Sequence, residues 1–343
     1  MMKKHKTLCV ISLGLMLTSC ASRPAGNTVS PKKKKNVKTA QVIKTEPQEL
    51  PKKPEIKHKG DYDFYTVNIA DASKNNSTVS YGSIVSASPE NYTISKTYFP
   101  SVGQNFRQRF LVIHYTALND EKSISVLTQQ SVSAHYLVND LDDKDIYQLV
   151  DENKRAYHAG ISYWKGFTQL NDNAVGIEIV NPGYTMINGS KVFSPYPDYQ
   201  FKKVAALIKD IADRYMIPAT NILGHSDIAP TRKQDPGPLF PWKRLYTEYN
   251  LGMWYDDAVK MSFISQNTPE IFDTQAATAP FIFKYQSMLK DFGYDINPSG
   301  TADTTTQKTI EAFQYHFRPE KCDGIMDIET YSILQALLQK YPK

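Results

Sequence analysis

Two histidines and an aspartate form a set able to hold a metal ion. His114 ends the apolar run Leu111-Val112-Ile113. His225 lies in Ile222-Leu223-Gly224-His225-Ser226-Asp227, and Asp235 in Thr231-Arg232-Lys233-Gln234-Asp235-Pro236-Gly237. Two imidazoles and one carboxylate are the protein's share of a catalytic-type zinc site, with a fourth position left to water. Such a site lowers the pKa of its water from about 15.7 toward ~7 and so supplies hydroxide at neutral pH. Spacing alone does not settle the assignment, because seven histidines in 343 residues make chance pairs easy.

The elements that must carry these residues are partly legible. Phe110-Leu111-Val112-Ile113 reads as a short buried strand, and Ser133–Val138, Ile146–Val150 and Ala174–Val180 as further strands. Phe201, Val204, Leu207, Ile208, Ile211 and Tyr215 fall on one helical face, and Pro218 closes that helix. Strands alternating with helices predict an α/β fold, a mixed central sheet flanked by helices. Pro241–Pro280 reads as a connector with amphipathic pieces. Beyond it a unit is duplicated: Gly300-x-x-Asp303-x-x-Thr306 recurs as Gly324-x-x-Asp327-x-x-Thr330. In each copy Gly suits a turn and Asp the N-cap of the next helix. Ile310, Phe313 and Phe317 line the first of these helices, and Tyr331, Leu334 and Leu338 the second. The result is a small three-helix C-terminal domain, near the lower size limit for one core.

Length suggests two or three domains. A composition of 41% hydrophobic and 22% charged residues is globular. It excludes a collagen, a wholly disordered chain and a polytopic membrane protein. The net charge of +5 is unevenly placed: residues 23–59 hold eleven Lys/Arg against three Glu, whereas 60–343 holds 26 basic against 32 acidic residues. An acidic folded portion argues against nucleic acid as the partner. The N-terminus has a basic start, a short apolar run Leu8–Leu17 and then Thr18-Ser19-Cys20, the pattern of a secretory signal. Leu17-Thr18-Ser19-Cys20 resembles the bacterial lipobox, in which the Cys becomes the acylated first residue. With Ala21 rather than Asp after it, resemblance to Gram-negative lipoproteins implies the outer membrane, facing the periplasm. Only Cys322 then remains in the mature chain, so no intrachain disulfide forms; a small packing residue is the expected role. Residues 23–59, rich in Lys and Pro, read as a solvated tether.

Four ordered segments carry a family resemblance: RQRFLVIHYTA (107–117), SAHYLV (133–138), RAYHAGISYWKGFTQLNDNAVGIEIV (155–180) and GHSDIAPTRKQDPGPLFPW (224–242). They resemble the zinc-dependent N-acetylmuramoyl-L-alanine amidases, relatives of phage amidase lysozymes and of peptidoglycan recognition proteins. The repeat, with AFQYHFRP at 312–319, resembles a peptidoglycan-binding domain. The resemblance implies one Zn²⁺ per chain on His114, His225 and Asp235. It implies a catalytic acid/base at Glu178, with Val175, Ile177 and Ile179 facing the other way along the strand. It also implies a cation, Lys233, that stabilises the charge developing on the attacked carbonyl oxygen.

His135 and His158 are read either as substrate or second-layer contacts or as structural histidines. Tyr115 either lines the cleft or packs. Asn171, with Asp172, either binds the stem peptide or shapes a turn. The expected layout is a signal peptide at 1–19, lipidated Cys20 and tether at 20–59, and an N-terminal extension without assigned role at 60–105. An amidase domain at 106–250, a connector at 251–279 and a peptidoglycan-binding domain at 280–341 follow. The expected partners are peptidoglycan or muropeptides, and the membrane through the anchor; the expected state is a monomer. The competing readings are a non-catalytic peptidoglycan receptor, a hydrolase of stem peptide bonds and an envelope tether.

Overall fold

The computed structural model describes residues 106–342. The signal segment, Cys20, the tether and the 60–105 extension lie outside the described residues. In chain order the strands are β1 (Phe110–Tyr115), β2 (Tyr136–Val138), β3 (Tyr147–Gln148), β4 (Tyr163–Trp164), β5 (Phe167–Thr168), β6 (Ala174–Ile179), β7 (Tyr184–Ile187), β8 (Ser190–Phe193) and β9 (Ile222–Gly224).

The sheet order is β3-β2-β6-β1-β9. The strands β2, β6, β1 and β9 run parallel, and β3 adds an antiparallel edge, so the sheet is mixed as expected. Its central strand β1 is buried from Phe110 through His114. A continuous apolar run is what an interior parallel strand requires, since both faces are covered.

Helix α1 (Asp120–Gln129) starts at Asn119, whose side chain accepts the Lys122 amide. Helix α2 (Asp198–Tyr215) buries Phe201, Val204, Leu207, Ile208 and Ile211, the face legible in the sequence. Each such side chain contributes roughly 1.5–3 kcal/mol when removed from water. The helix ends on left-handed Met216 (φ 53°), two residues before Pro218. The hairpin β7–β8 turns on Asn188-Gly189, both with positive φ. That dipeptide is a strong local hairpin signal, although the sequence reading did not draw a strand on either side of it.

Six helices complete the chain after the short α3 (His225–Ile228): α4 (Trp242–Tyr249), α5 (Asp257–Gln266), α6 (Pro269–Gln275), α7 (Ala279–Phe292), α8 (Thr304–Phe317) and α9 (Ile328–Lys340). Asp303 caps α8 and Asp327 caps α9, each accepting the amide of the Thr three residues on. Gly300 (φ 76°) and Gly324 (φ 70°) sit in left-handed turns against Ala279 and Gln307 carbonyls, where a Cβ would come within 3.0 and 2.8 Å. Buried Gln286 and Gln314 staple the two turns: each side-chain oxygen accepts glycine N–H, and each amide nitrogen donates to a Thr hydroxyl and a carbonyl. The sequence repeat is therefore a repeated hydrogen-bonding unit.

The C-terminal helices do not stand alone. Trp164 packs edge-on against Phe292 and Tyr294, and the Lys165 amide donates to the Gly293 carbonyl at 3.0 Å. Helices α5 and α6 also join this packing: Lys260 pairs with Glu329 at 3.2 Å, and Phe272 meets Phe281 and Tyr331. One apolar core runs from the sheet through α2 into α7, α8 and α9.

Candidate active site

Three parallel strands end together, and their carboxyl ends present the chemistry. His114 lies at the end of β1, Glu178 at the end of β6, and His225 directly after β9. In the β1–β6 register His114 pairs with Glu178, so both side chains project from the same face. Val175, Ile177 and Ile179 alternate with Glu178 and are fully buried on the other face. Open α/β sheets collect ligands at such strand ends.

Asp235 completes the group from the loop after α3. Its carbonyl accepts the Ser226 amide at 2.9 Å, and its peptide bond to Pro236 is cis. Gly224 is required here, because a Cβ would come within 2.7 Å of the Pro236 ring. His114 Nδ1 lies 2.9 Å from His225 Nδ1 and 3.0 Å from Asp235 Oδ2; His225 Nδ1 lies 2.9 Å from the same oxygen. All three residues are buried, and together they form a metal-type donor set.

The protonation chemistry tests that reading. His225 Nε2 faces the Ala159 carbonyl at 3.1 Å, which can only accept, so the ring proton sits there and Nδ1 presents a lone pair. His225 Nδ1 and the Asp235 carboxylate are then two acceptors at 2.9 Å, a contact that a shared cation resolves. Burial and the adjacent His225 imidazole push His114 down to about 4, against the pull of Asp235, which keeps the ring neutral and ligand-ready.

Glu178 lies in the same cleft of about 260 Å³ as His225, Lys233 and Asp235. Its Oε2 is buried with no hydrogen-bond partner. Burial and the Asp235 charge push its carboxyl up to about 8, and Lys233 pulls the other way. That range suits a group that must both take and give a proton near neutrality. A buried carboxylate oxygen without a donor is costly, and in this cleft a ligand or water can supply the donor.

Around this centre the other candidates divide. His158 lines the cleft, and its Nδ1 stands 3.0 Å from His114 Nε2, so it orients that ring from behind. Burial, then the neighbouring imidazoles, holds His158 well below its ordinary value. Gly176 makes room for it, since a Cβ would come within 2.5 Å of the ring. Tyr115 lines the cleft and rests on Gly183. His135 does not reach the cleft wall: its Nδ1 accepts the Gly176 amide and its Nε2 donates to the Lys154 carbonyl. Asn171 is turned inward, where Oδ1 accepts the His158 and Ala159 amides. Asp172 pairs with Arg155 at the surface.

Sequence reasoning missed two residues. Arg232 donates to the Ala159 and Ile161 carbonyls and so braces the loop whose carbonyl sets the His225 tautomer. Asp227 is a buried carboxylate two residues beyond His225. The Arg232 partners, and the Tyr294 and His316 partners of Asp227, are remote along the chain, and no local pattern marks them.

With fold and geometry established, comparison with known proteins gives the class. Residues 104–238 match the N-acetylmuramoyl-L-alanine amidase family model, and residues 278–334 match a peptidoglycan binding domain. The chain belongs to the N-acetylmuramoyl-L-alanine amidase family. Its relative AmiD of Escherichia coli is 41% identical over 240 residues, covering 68% of this chain and 84% of AmiD. The structure of that AmiD in complex with anhydro-N-acetylmuramic acid-L-Ala-D-γ-Glu-L-Lys superimposes with a TM-score of 0.67 at 38% identity, over 74% of this chain and 96% of the other. AmpDh3 of Pseudomonas aeruginosa, solved with anhydromuramic pentapeptide, gives 0.66 at 38% identity over 73% and 99%. The 1,6-anhydro-N-acetylmuramyl-L-alanine amidase AmpD of Enterobacter cloacae is 42% identical over 104 residues, 30% of this chain and 51% of AmpD.

Proposed function

We propose that this protein hydrolyses the amide joining the lactyl group of N-acetylmuramic acid, in its intact or 1,6-anhydro form, to the L-alanine of the stem peptide. The observation that carries this reading is the meeting of His114, His225 and Asp235 donor atoms about 3 Å apart, beside the unpartnered carboxylate oxygen of Glu178. The donor set suits Zn²⁺, because two imidazole nitrogens and one carboxylate oxygen are borderline and hard ligands of the kind zinc takes. When bound, zinc would supply a Lewis acid that activates water and polarises the scissile carbonyl.

The chain's own residues divide the remaining work. Glu178 accepts a proton from the attacking water and returns it to the departing alanine nitrogen. Lys233, which makes no ion pair among the described residues, offers its ammonium to the negative charge growing on the carbonyl oxygen. His158 keeps the His114 ring in orientation, and Tyr115 forms part of the wall that receives the substrate. A full donor set with both auxiliary residues argues against a receptor without catalysis.

The rest of the reading concerns place. Cys20 carries the lipid anchor after signal removal, the Lys/Pro-rich tether spans outward, and the monomeric enzyme works at the outer membrane facing the periplasm. The C-terminal helices add affinity for wall polymer and raise the local enzyme concentration there. Cys20→Ala is expected to move the protein out of the membrane fraction.

The deciding experiment incubates the zinc-loaded protein with anhydro-N-acetylmuramic acid-L-Ala-D-γ-Glu-L-Lys and weighs the products. Free anhydro sugar and intact tripeptide are expected. A cut between amino acids would replace this reading with a peptidase.

A further inference from the structure

The Asp227 carboxylate is 1% exposed and lies at the junction between the sheet and the C-terminal helices. Three donors converge on it. The Gly224 amide reaches Oδ2 at 2.7 Å, Tyr294 Oη reaches Oδ1 at 2.8 Å, and His316 Nδ1 reaches Oδ2 at 2.8 Å. The first donor directly precedes His225 in the chain, and Asp227 follows it by two residues. One carboxylate therefore brackets the turn that presents His225. The other two donors come from the C-terminal helices: Tyr294 follows α7, and His316 lies in the last turn of α8. His316 is itself clamped, stacked on Trp242 at 3.9 Å and 16° and on Phe317 at 4.0 Å. The turn also reaches the third ligand, through Ser226 N–H to the Asp235 carbonyl.

We infer that the C-terminal helices form part of the metal site's foundation: Tyr294 and His316 hold the Asp227 carboxylate, and through it the turn that carries His225. The inference rests on the metal-site reading above. A buried carboxylate needs its full set of donors, because an underpaired one is driven to swing toward other partners or water. That movement would release Gly224 N–H and loosen the His225 backbone. Asp227, Tyr294 and His316 are thus positioning residues. The module thus has a second role that is distinct from holding wall polymer.

The test uses the full chain and Zn²⁺ alone, with dissociation constants from competition against a chromophoric chelator. Tyr294→Phe removes one oxygen, His316→Phe keeps the stacking ring but removes the donor, and the two are combined. Outer-layer partners of metal ligands typically influence affinity by 10–100-fold. Zinc affinity is expected to fall about 10-fold in the folded double variant and by less in Tyr294→Phe. His316→Gln, which restores an N–H donor, is expected to recover part of the loss. On a soluble muropeptide, for which wall binding is irrelevant, kcat should fall with KM unchanged. If the double variant does not fold, Tyr294→Phe alone decides. Wild-type zinc affinity in the folded variants would overturn the inference. Retention of zinc by Asp235→Ala, run alongside, would overturn the metal-site reading instead.

Discussion

The cleft at the strand ends and the two glutamine-stapled turns of the C-terminal helices both bury polar side chains, and they treat them in opposite ways. In the helices, Gln314 spends its amide on Asp323, Ile325 and Thr330 and its oxygen on Gly324. Gln286 does the same for the first turn. In the cleft, acceptors crowd one another at 2.9–3.0 Å, and Glu178 Oε2 meets no donor. Internally satisfied groups hold a shape. Those left open in the cleft hold capacity in reserve for a metal, a water or a substrate.

The sharpest way to break that contrast is to remove a cleft acceptor. Asp235→Ala should lose bound zinc and essentially all turnover, measured by metal analysis and muropeptide hydrolysis; a zinc-replete active variant would make Asp235 scaffold. Glu178→Ala comes next. It should retain zinc while kcat falls by about 10²–10⁴-fold, the usual share of general acid–base catalysis. Melting temperature should hold or rise, because an unpaired buried carboxylate is removed.

Scaffold groups should behave in the reverse sense. Glu152 accepts Tyr136 and Tyr215 hydroxyls and both Arg214 terminal nitrogens. Glu152→Gln should destabilise the fold by about 3–5 kcal/mol, as breaking a buried pair does. Burial opposes the charged form, but Arg214 outweighs it and holds the carboxyl below its ordinary 4.5. Its stabilisation is therefore complete above that value and is lost as pH falls through the lower, folded-state value. Denaturant titrations below and above pH 4.5 should show wild type losing more stability in acid than Glu152→Gln. The smallest effect is expected of Gln314→Leu, about 1–3 kcal/mol for stranded partners, with zinc affinity unchanged. A zinc-affinity loss there would blur the line between the two regions.

Much of this was legible beforehand. The apolar run at Phe110–Ile113, the helical face from Phe201 to Ile211 and the repeated Gly and Asp positions are local patterns, and each appears where its periodicity or turn chemistry requires. The motifs around His114, Glu178, His225 and Asp235 also singled out the residues that meet. Other features were not legible. β9 is three residues long, below the reach of periodicity, and β4 and β5 are two residues each. His135 and Asn171 sit in matched motifs, yet both His135 ring nitrogens and Asn171 Oδ1 are engaged by backbone amides and a carbonyl.

The amino-acid order by itself determined which segments become strand or helix and which side chains have the chemistry to bind a metal. Those properties depend on neighbours a few residues away. Only the tertiary structure decided that β1 lies between β6 and β9, which sets His114 beside Glu178 and brings His225 and Asp235 to it from 111 and 121 residues along the chain. It alone decided that Tyr294 and His316 close on Asp227. Strand order and the docking of helices follow from how whole apolar faces fill a common core, and no local window of sequence contains that information.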